Sequence, residues 1–296
     1  MTVTGPETAL FEQQRRRLFG LAYRMLGSAA EAEDVVQDAF LRWHGADRQR
    51  IEALPAWLAK VVTNLCLNRL TSARARRESY VGPWLPEPVL TGEGALGPLE
   101  TVEQRDSVSM GVLILLERLT PPERAVFVLR EAFGYQHREI AELLDIDEAH
   151  SRQLHLRARR HVADTRARFT AGNDEQRRIV ERFLAATLEG DVAGLEKLLA
   201  EDVVSWADGG GTVTAARRPI VGRDRVLRYL LGMGGRPEIA VVRTEIAEVN
   251  GHPAVLFELG GALMAVLALE VGQDRVTAVR LVVSPAKLAF VAAQRA

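Results

Sequence analysis

The sequence predicts two all-helical domains followed by one α+β domain. Three observations carry this. Apolar residues recur at spacings of three and four from about residue 8 to 78 and again from 102 to 169, which is helical periodicity. Between those blocks, residues 79–101 read SYVGPWLPEPVLTGEGALGPLET, too rich in proline and glycine to sustain a helix. Beyond about residue 238 the apolar period becomes two, with glycine-containing turns between the runs. A chain of 296 residues has room for two to three domains of ordinary size.

In the first block Leu18, Leu21, Ala22 and Met25 share one helical face, Val35, Val36, Ala39 and Phe40 a second, and Leu58, Val61, Val62 and Leu65 a third. The 79–101 stretch is an expected linker whose charges, Glu87, Glu93 and Glu100, are all acidic. The second block, 102–169, is broken at Thr120-Pro121-Pro122, where threonine can cap and proline suits a first helical turn. TAGND at 170–174 resets the chain, and 174–296 form the third domain. There Asn250-Gly251, Gly260-Gly261 and Gly272-Gln273-Asp274 separate four alternating runs, as in an antiparallel meander.

Composition excludes several classes. The net charge is −1, so any affinity for a polyanion has to come from local clustering. The single cysteine, Cys66, sits in VVTNLCLNRL and is expected to be a buried, quiet thiol, with no disulfide within the chain. The first residues lack an apolar leader core and no stretch approaches the roughly 20 apolar residues of a bilayer span, so the expected compartment is the cytoplasm.

The densest cationic segment is EAHSRQLHLRARRHV, 148–162. It follows QHREIAELLDID, whose Ile140, Leu143 and Leu144 form an apolar stripe; Asp145-Ile146-Asp147 then make a three-residue turn, with Asp145 where glycine is common and Asp147 as cap. Two short helices so joined fit a helix-turn-helix, whose second member enters the major groove of DNA. Glu148, His150, Arg152 and Gln153 would face base edges, Arg157, Arg159 and Arg160 phosphates, and His155 either, with His137 and Arg138 heading the first helix. His150, His155 and His161 are five and six residues apart, the wrong spacing for ligands on one helical face, so no metal is expected.

With LTPPERAVFVLREAFGYQHREIAELLDIDEAHSRQLHLRARR in view, the second block resembles region 4 of the sigma-70 family, which reads the promoter minus-35 element. LFGLAYRMLGSAAEAEDVVQDAFLRW and PAWLAKVVTNLCLNRLTSARARRE resemble region 2, and the short intervening segment resembles that of the extracytoplasmic-function sigma factors. ERFLAATLEGDVAGLEKLLAEDVVSWADGGG is similar to SnoaL-like domains. Together with WLPEP at 84–88 and a partly matched SPAKL at 284–288, it points to sigma factors with a fused C-terminal SnoaL-like domain, a cone of curved antiparallel sheet wrapped around helices.

The resemblance implies RNA polymerase core and promoter DNA as partners, with no cofactor. It carries polymerase binding onto Glu33, Asp34, Val35, Gln37, Asp38, Phe40 and Leu41, and minus-10 recognition onto Asn64, Asn68 and Arg69, followed by Arg74, Arg76 and Arg77 for phosphates. Glu33 and Asp34 serve equally as an acidic first turn favoured by the helix dipole. Trp84, Leu85, Pro86, Glu87 and Pro88, with Asp208, Gly209, Gly210 and Gly211, are expected to form a regulatory contact between linker and third domain.

Two other readings compete: a ligand-responsive helix-turn-helix regulator that never enters polymerase, and an enzyme in the third domain. Cones of this kind often enclose a pocket for an unidentified small ligand, and Trp206, Asp208 and Tyr229 could line one, with Asp208 as a general base. No nucleophile–base pair, metal set or phosphate loop accompanies them, so the chain is not expected to be an enzyme.

Overall fold

A computed structural model of the chain describes residues 6–78, 80–92, 96, 107–166, 172–236, 239 and 241–296; the side chains of 6–8, 48, 72–78, 163–166 and 173 fall outside that description. The chain forms two compact units, residues 1–78 with 93–163 and residues 79–92 with 164–296.

The first unit contains α1 (Pro6–Leu26), α2 (Ala29–His44), a 3-10 turn at Arg48–Arg50, α3 (Leu54–Glu78), α4 (Met110–Leu116), α5 (Pro121–Glu131), α6 (His137–Leu144) and α7 (Glu148–Arg166). Side chains cap the starts: Ser28 Oγ accepts from the Glu31 amide at 3.1 Å, and Ser109 Oγ from the Val112 amide at 3.2 Å. At α5 the Glu123 carboxylate reaches back to the Thr120 amide and hydroxyl, so the predicted break at Thr120-Pro121-Pro122 is a capped helix start. Phe11 stacks on Trp43 and meets Phe40 edge-on, centroids 5.8 and 5.0 Å apart, which joins α1 to α2.

The two helical blocks do not stand apart. Helix α1 packs on α5, and α3 on α5 and α6. Arg124 of α5, almost completely buried, donates to the Met25 carbonyl at 2.8 Å and pairs with Glu117 at 2.7 Å. Met25 is in the last turn of α1, where carbonyls lack intrahelical partners, so a guanidinium from the second block caps a helix of the first. Arg24 donates its Nε to Ser107 Oγ at 2.8 Å. Cys66 is buried and its surroundings push the thiol far up, as expected of a quiet thiol.

The second unit contains α8 (Asn173–Glu189), α9 (Val192–Leu198), β1 (Leu199–Asp208), β2 (Ile220–Val221), α10 (Arg223–Gly234), β3 (Arg243–Val249), β4 (His252–Leu259), β5 (Ala262–Gly272), β6 (Arg275–Val282) and α11 (Pro285–Gln294). The described strands form one sheet in the order β2-β1-β6-β5-β4-β3. Ile179, Val180 and Phe183 of α8, Val226 and Leu230 of α10, and Val203, Val255, Leu267 and Val279 of the strands make its core.

The sheet corrects the expected all-antiparallel arrangement. Strands β3 to β6 are the predicted meander, but β1 runs parallel to β6, with Trp206 opposite Arg280 and Asp208 opposite Val282. The connection between them spans α10 and four strands, more than a parallel crossover needs. The β5–β6 turn is notable because Gln273 and Asp274 both take positive φ, 51° and 60°, which two-residue hairpins require and glycine usually supplies. Helix α11 follows the sheet where sequence periodicity suggested only its end, burying Leu288 and Val291.

Residues 80–92 belong to the second unit and Leu96 is buried within the first; Glu93 and Glu100 lie outside the described residues.

Candidate functional site

Helices α6 and α7 meet across Asp145, whose φ of 54° and ψ of 45° are left-handed, a conformation aspartate tolerates better than most residues. Asp147 Oδ1 accepts from the His150 amide at 2.7 Å and so starts α7; Ile146 is half-buried. Ser151, Leu154, Ala158 and Val162 face inward at helical spacing, which turns His150, Arg152, Gln153, Arg157, Arg159 and Arg160 to solvent. Arg152 pairs with Glu148 at 2.6 Å, Arg138 with Glu142 at 3.4 Å, and Arg157 approaches Glu123 at 3.7 Å. Arg159 and Arg160 have no ion-pair partner among the described residues.

His137 and His155 are placed differently from the expectation. The ring of His155 packs near Phe127, and its Nε2 lies 2.8 Å from Glu131; His137 Nδ1 lies 3.0 Å from the hydroxyl of buried Ser151, and the two imidazoles are 5.3 Å apart. Both therefore brace α5, α6 and α7 together, since imidazoles are large enough to fill the gap where three short helices converge.

The residues expected to meet polymerase separate into three kinds. Val35 is fully buried, on the face of α2 that also carries Val36 and Ala39 into the core, so it presents no surface and that assignment is corrected. Glu33 pairs with Arg15 at 2.8 Å, while Asp38 and Asp34 meet Arg69 at 2.8 and 3.5 Å. Gln37 and Leu41 are exposed, Leu41 by 60 % despite being aliphatic, and Phe40 is half-buried beside it. On α3, Asn68 is exposed and Asn64 half-buried, whereas Arg69 is clamped onto α2, also donating to the Glu31 carbonyl at 3.1 Å. The side chains of Arg74, Arg76 and Arg77 lie outside the described residues.

In the second unit, residues 80–92 are held by a buried polar clamp. Asp208, with no exposed surface, accepts from the Tyr80 hydroxyl at 2.5 Å, the Leu85 amide at 2.7 Å, the Gly210 amide at 3.1 Å and Lys287 Nζ at 2.7 Å. Lys287 Nζ also donates to the Leu85 carbonyl and sits over the rings of Trp84 and Tyr80, 4.4 and 4.7 Å from their centroids. Burial and the bond to Asp208 push the Tyr80 phenol up. Further along, Asn250 pairs both ways with the Val89 backbone, Gln294 both ways with Leu90, and the Thr91 amide donates to the Glu248 carbonyl at 3.0 Å.

Gly210 and Gly211 take φ of 61° and 74°, and a Cβ on Gly210 would stand 2.6 Å from Ser284 Oγ, so this bend needs glycine on both grounds. Leu85, Pro86 and Pro88 are buried, and Trp84 and Glu87 half-buried. Trp206 and Asp208 alternate along β1 with Val203 and Ala207 of the core and so point away from it; Arg280 lies over Trp206 at 4.7 Å and pairs with Glu270. Asp208 is thus a buried, ion-paired anchor and not the pocket-lining general base that it could have been beside Trp206 and Tyr229.

The Sigma-70 region 2 family model matches residues 10–76 and the Sigma-70 region 4 model residues 112–162. The ECF RNA polymerase sigma factor SigJ of Mycobacterium tuberculosis is 39 % identical over 260 residues, covering 84 % of this chain and 83 % of its own. The chain belongs to the extracytoplasmic-function sigma factor family. The probable ECF sigma factor SigI of the same organism is 33 % identical over 290 residues, 97 % of each chain. The SigJ crystal structure superimposes with a TM-score of 0.76 at 34 % identity, covering 96 % of this chain and 98 % of that one. No helix among the described residues is long and apolar enough to cross a membrane.

In this sigma factor the linker motif and Asp208 are singled out by sequence and Lys287 only within the partly matched SPAKL, while Tyr80, Asn250 and Gln294 are not. The signal for Lys287 was its setting: one of three lysines in the chain, it stands in the apolar run VVSPAKLAFVAA, where a cation needs a partner. Asn250 and Gln294 left none, because their function is to pair with backbone that is distant in sequence.

His137 gives this sigma factor a pH-dependent term. Desolvation, then the neighbouring His155, Arg130 and Arg152, hold His137 below the usual imidazole range, with Glu148 opposing. A base whose folded pKa lies below its unfolded value binds fewer protons when folded, so its contribution falls as pH drops through about 6.5 toward the folded pKa. The first unit of wild type is expected to lose more thermal stability between pH 7 and 5.5 than that of His137→Gln; parallel curves in calorimetry would contradict this.

Proposed function

We propose that this sigma factor delivers core polymerase to promoters whose minus-10 and minus-35 elements it reads with separate modules, residues 8–78 and 102–169. Its third module, 174–296, is a SnoaL-like cone of curved sheet that modulates those two in cis. The observation that carries promoter reading is α7, where one face is buried and the other offers His150, Arg152, Gln153, Arg159 and Arg160, the last two free of ion pairs. Gln37, Phe40 and Leu41 form the docking edge for core, an apolar centre beside the Glu33, Asp34 and Asp38 acids. Asn64 and Asn68 read the minus-10 element, and Arg74, Arg76 and Arg77 hold phosphates. Acting on polymerase places the protein in the cytoplasm, as a transcription factor without catalytic residues or cofactor.

Modulation in cis is supported by the clamp. The linker tracing WLPEP is fixed by Asp208 and Lys287 at one end and by Asn250 and Gln294 at the other. A linker so held cannot let the flanking modules reach for DNA as a free chain would, so its release and capture bias the population between states.

Reconstituted transcription with core polymerase tests both parts. Full-length protein is expected to bind core without DNA, and Leu41→Glu to weaken that at least tenfold. Deleting residues from 173 onward is expected to change promoter selectivity or output. Absence of core binding defeats the sigma reading; unaltered transcription by the truncated chain defeats modulation.

A further inference from the structure

The second unit carries a charge segregation that neither its fold nor the clamp uses. Residues 209–236 hold six arginines, Arg217, Arg218, Arg223, Arg225, Arg228 and Arg236, and one acid, Asp224, in a chain whose net charge is −1. They lie in the approach to β2, on α10 and just past its C-terminal end. Arg217, Arg218, Arg225 and Arg228 are exposed, while Val226, Leu227 and Leu230 of the same helix are buried, so packing orients the guanidinium groups outward.

Little neutralises them. Arg223 approaches Glu201 only to 3.9 Å, and Arg228 donates to the Asp224 backbone carbonyl at 3.3 Å. Arg217, Arg218 and Arg225 have no hydrogen bond or ion pair among the described residues. Elsewhere in this unit Arg280 and Arg295 are neutralised by carboxylates, Glu270 for Arg280 and Glu245 for Arg295. Like charges gathered without partners repel, so the patch costs the isolated fold something and favours whatever polyanion covers it.

We propose that the Arg217–Arg218–Arg225 surface binds the phosphate backbone of duplex DNA, giving the C-terminal module a sequence-independent grip on promoter DNA in addition to the two sigma modules. This rests on the proposed function, which brings DNA to the chain. Guanidinium groups on an exposed loop and helix suit phosphates, which demand charge and bidentate donors but no groove-reading geometry. Each phosphate neutralised releases counterions and steepens the fall of log K with log salt by about 0.9.

The test uses holoenzyme assembled from the full chain and core polymerase. Its affinity for a promoter duplex with upstream flanking DNA is measured between 50 and 200 mM salt. The Arg217→Gln/Arg218→Gln/Arg225→Gln variant is expected to bind about tenfold more weakly at low salt, with a slope shallower by about 2 to 3 and unchanged preference for promoter over scrambled sequence. The corresponding triple lysine variant is expected to restore both. A wild-type slope in the glutamine variant overturns the inference while leaving the sigma reading intact. So does weakened core binding with an unchanged slope, which would make the patch a polymerase contact, or loss of affinity for single-stranded RNA alone. Wild-type holoenzyme that does not form, or finds no promoter, removes the sigma reading and this inference with it.

Discussion

Replacing Lys287 by methionine is expected to lower the stability of the second unit by about 3–5 kcal/mol, the usual consequence of removing one partner from a buried ion pair. Methionine matches the length of the stem but leaves Asp208 charged, with no exposed surface and three remaining neutral donors, from Tyr80, Leu85 and Gly210. The Leu85 carbonyl loses its partner as well, and the Trp84 and Tyr80 rings lose the cation above them. For a unit of this size the unfolding midpoint should drop by roughly 10 °C. The double variant Asp208→Leu/Lys287→Met removes the stranded charge and should recover most of that, because an apolar pair can replace a buried ion pair without net loss. It cannot restore the Leu85 backbone bonds. Hydrogen exchange at Leu85 should therefore be fast in the double variant, where its amide has lost Asp208, although the midpoint has returned. Equal protection of Leu85 in wild type and double variant would show that the ion pair stabilises the sheet without holding the linker.

How much of this was legible in the sequence depends on whether the information was local. Helix positions were, since Leu18, Leu21 and Met25 or Ile140 and Leu143 mark buried faces by spacing alone, and Asp145 stands at the left-handed turn. The meander was local too, its turns written in Asn250-Gly251 and Gly260-Gly261. The parallel pairing of β1 with β6 was not, because nothing in either strand records which neighbour it takes. The pairing of charges across the fold is not local either. Arg69, Asp34 and Asp38 carry the composition of a binding surface, yet they meet each other across 31 to 35 residues. The helical period already turns Val35 inward with Val36 and Ala39, whereas the family resemblance places it on the polymerase face. The linker looked free because proline and glycine deny it a helix; its actual partners are the side chains of Asn250 and Gln294, more than 160 residues away.

Arg124→Met is expected to separate stability from function in the first unit. Arg124 is 3 % exposed, and burial pulls its guanidinium down to about 9, still charged at neutral pH. Its two bonds join Glu117 to the terminal carbonyls of α1, and hydrogen bonds to a charged group are worth about 1.5–3 kcal/mol each. Methionine fills the space without donating, so calorimetry should show the transition of the first unit lowered and that of the second unmoved. A purely structural residue would lower core binding in parallel. On the proposed function the opposite follows: α1 and α5 belong to modules that must reach separate promoter elements, so the closed packing taxes the polymerase-ready state. Weakening it raises the competent fraction, and apparent affinity rises in proportion. Arg124→Met should thus bind core polymerase more tightly than wild type at a temperature where both are folded. Weaker binding at that temperature would mean that the packing of α1 on α5 belongs to the active arrangement and is not an obstacle to it.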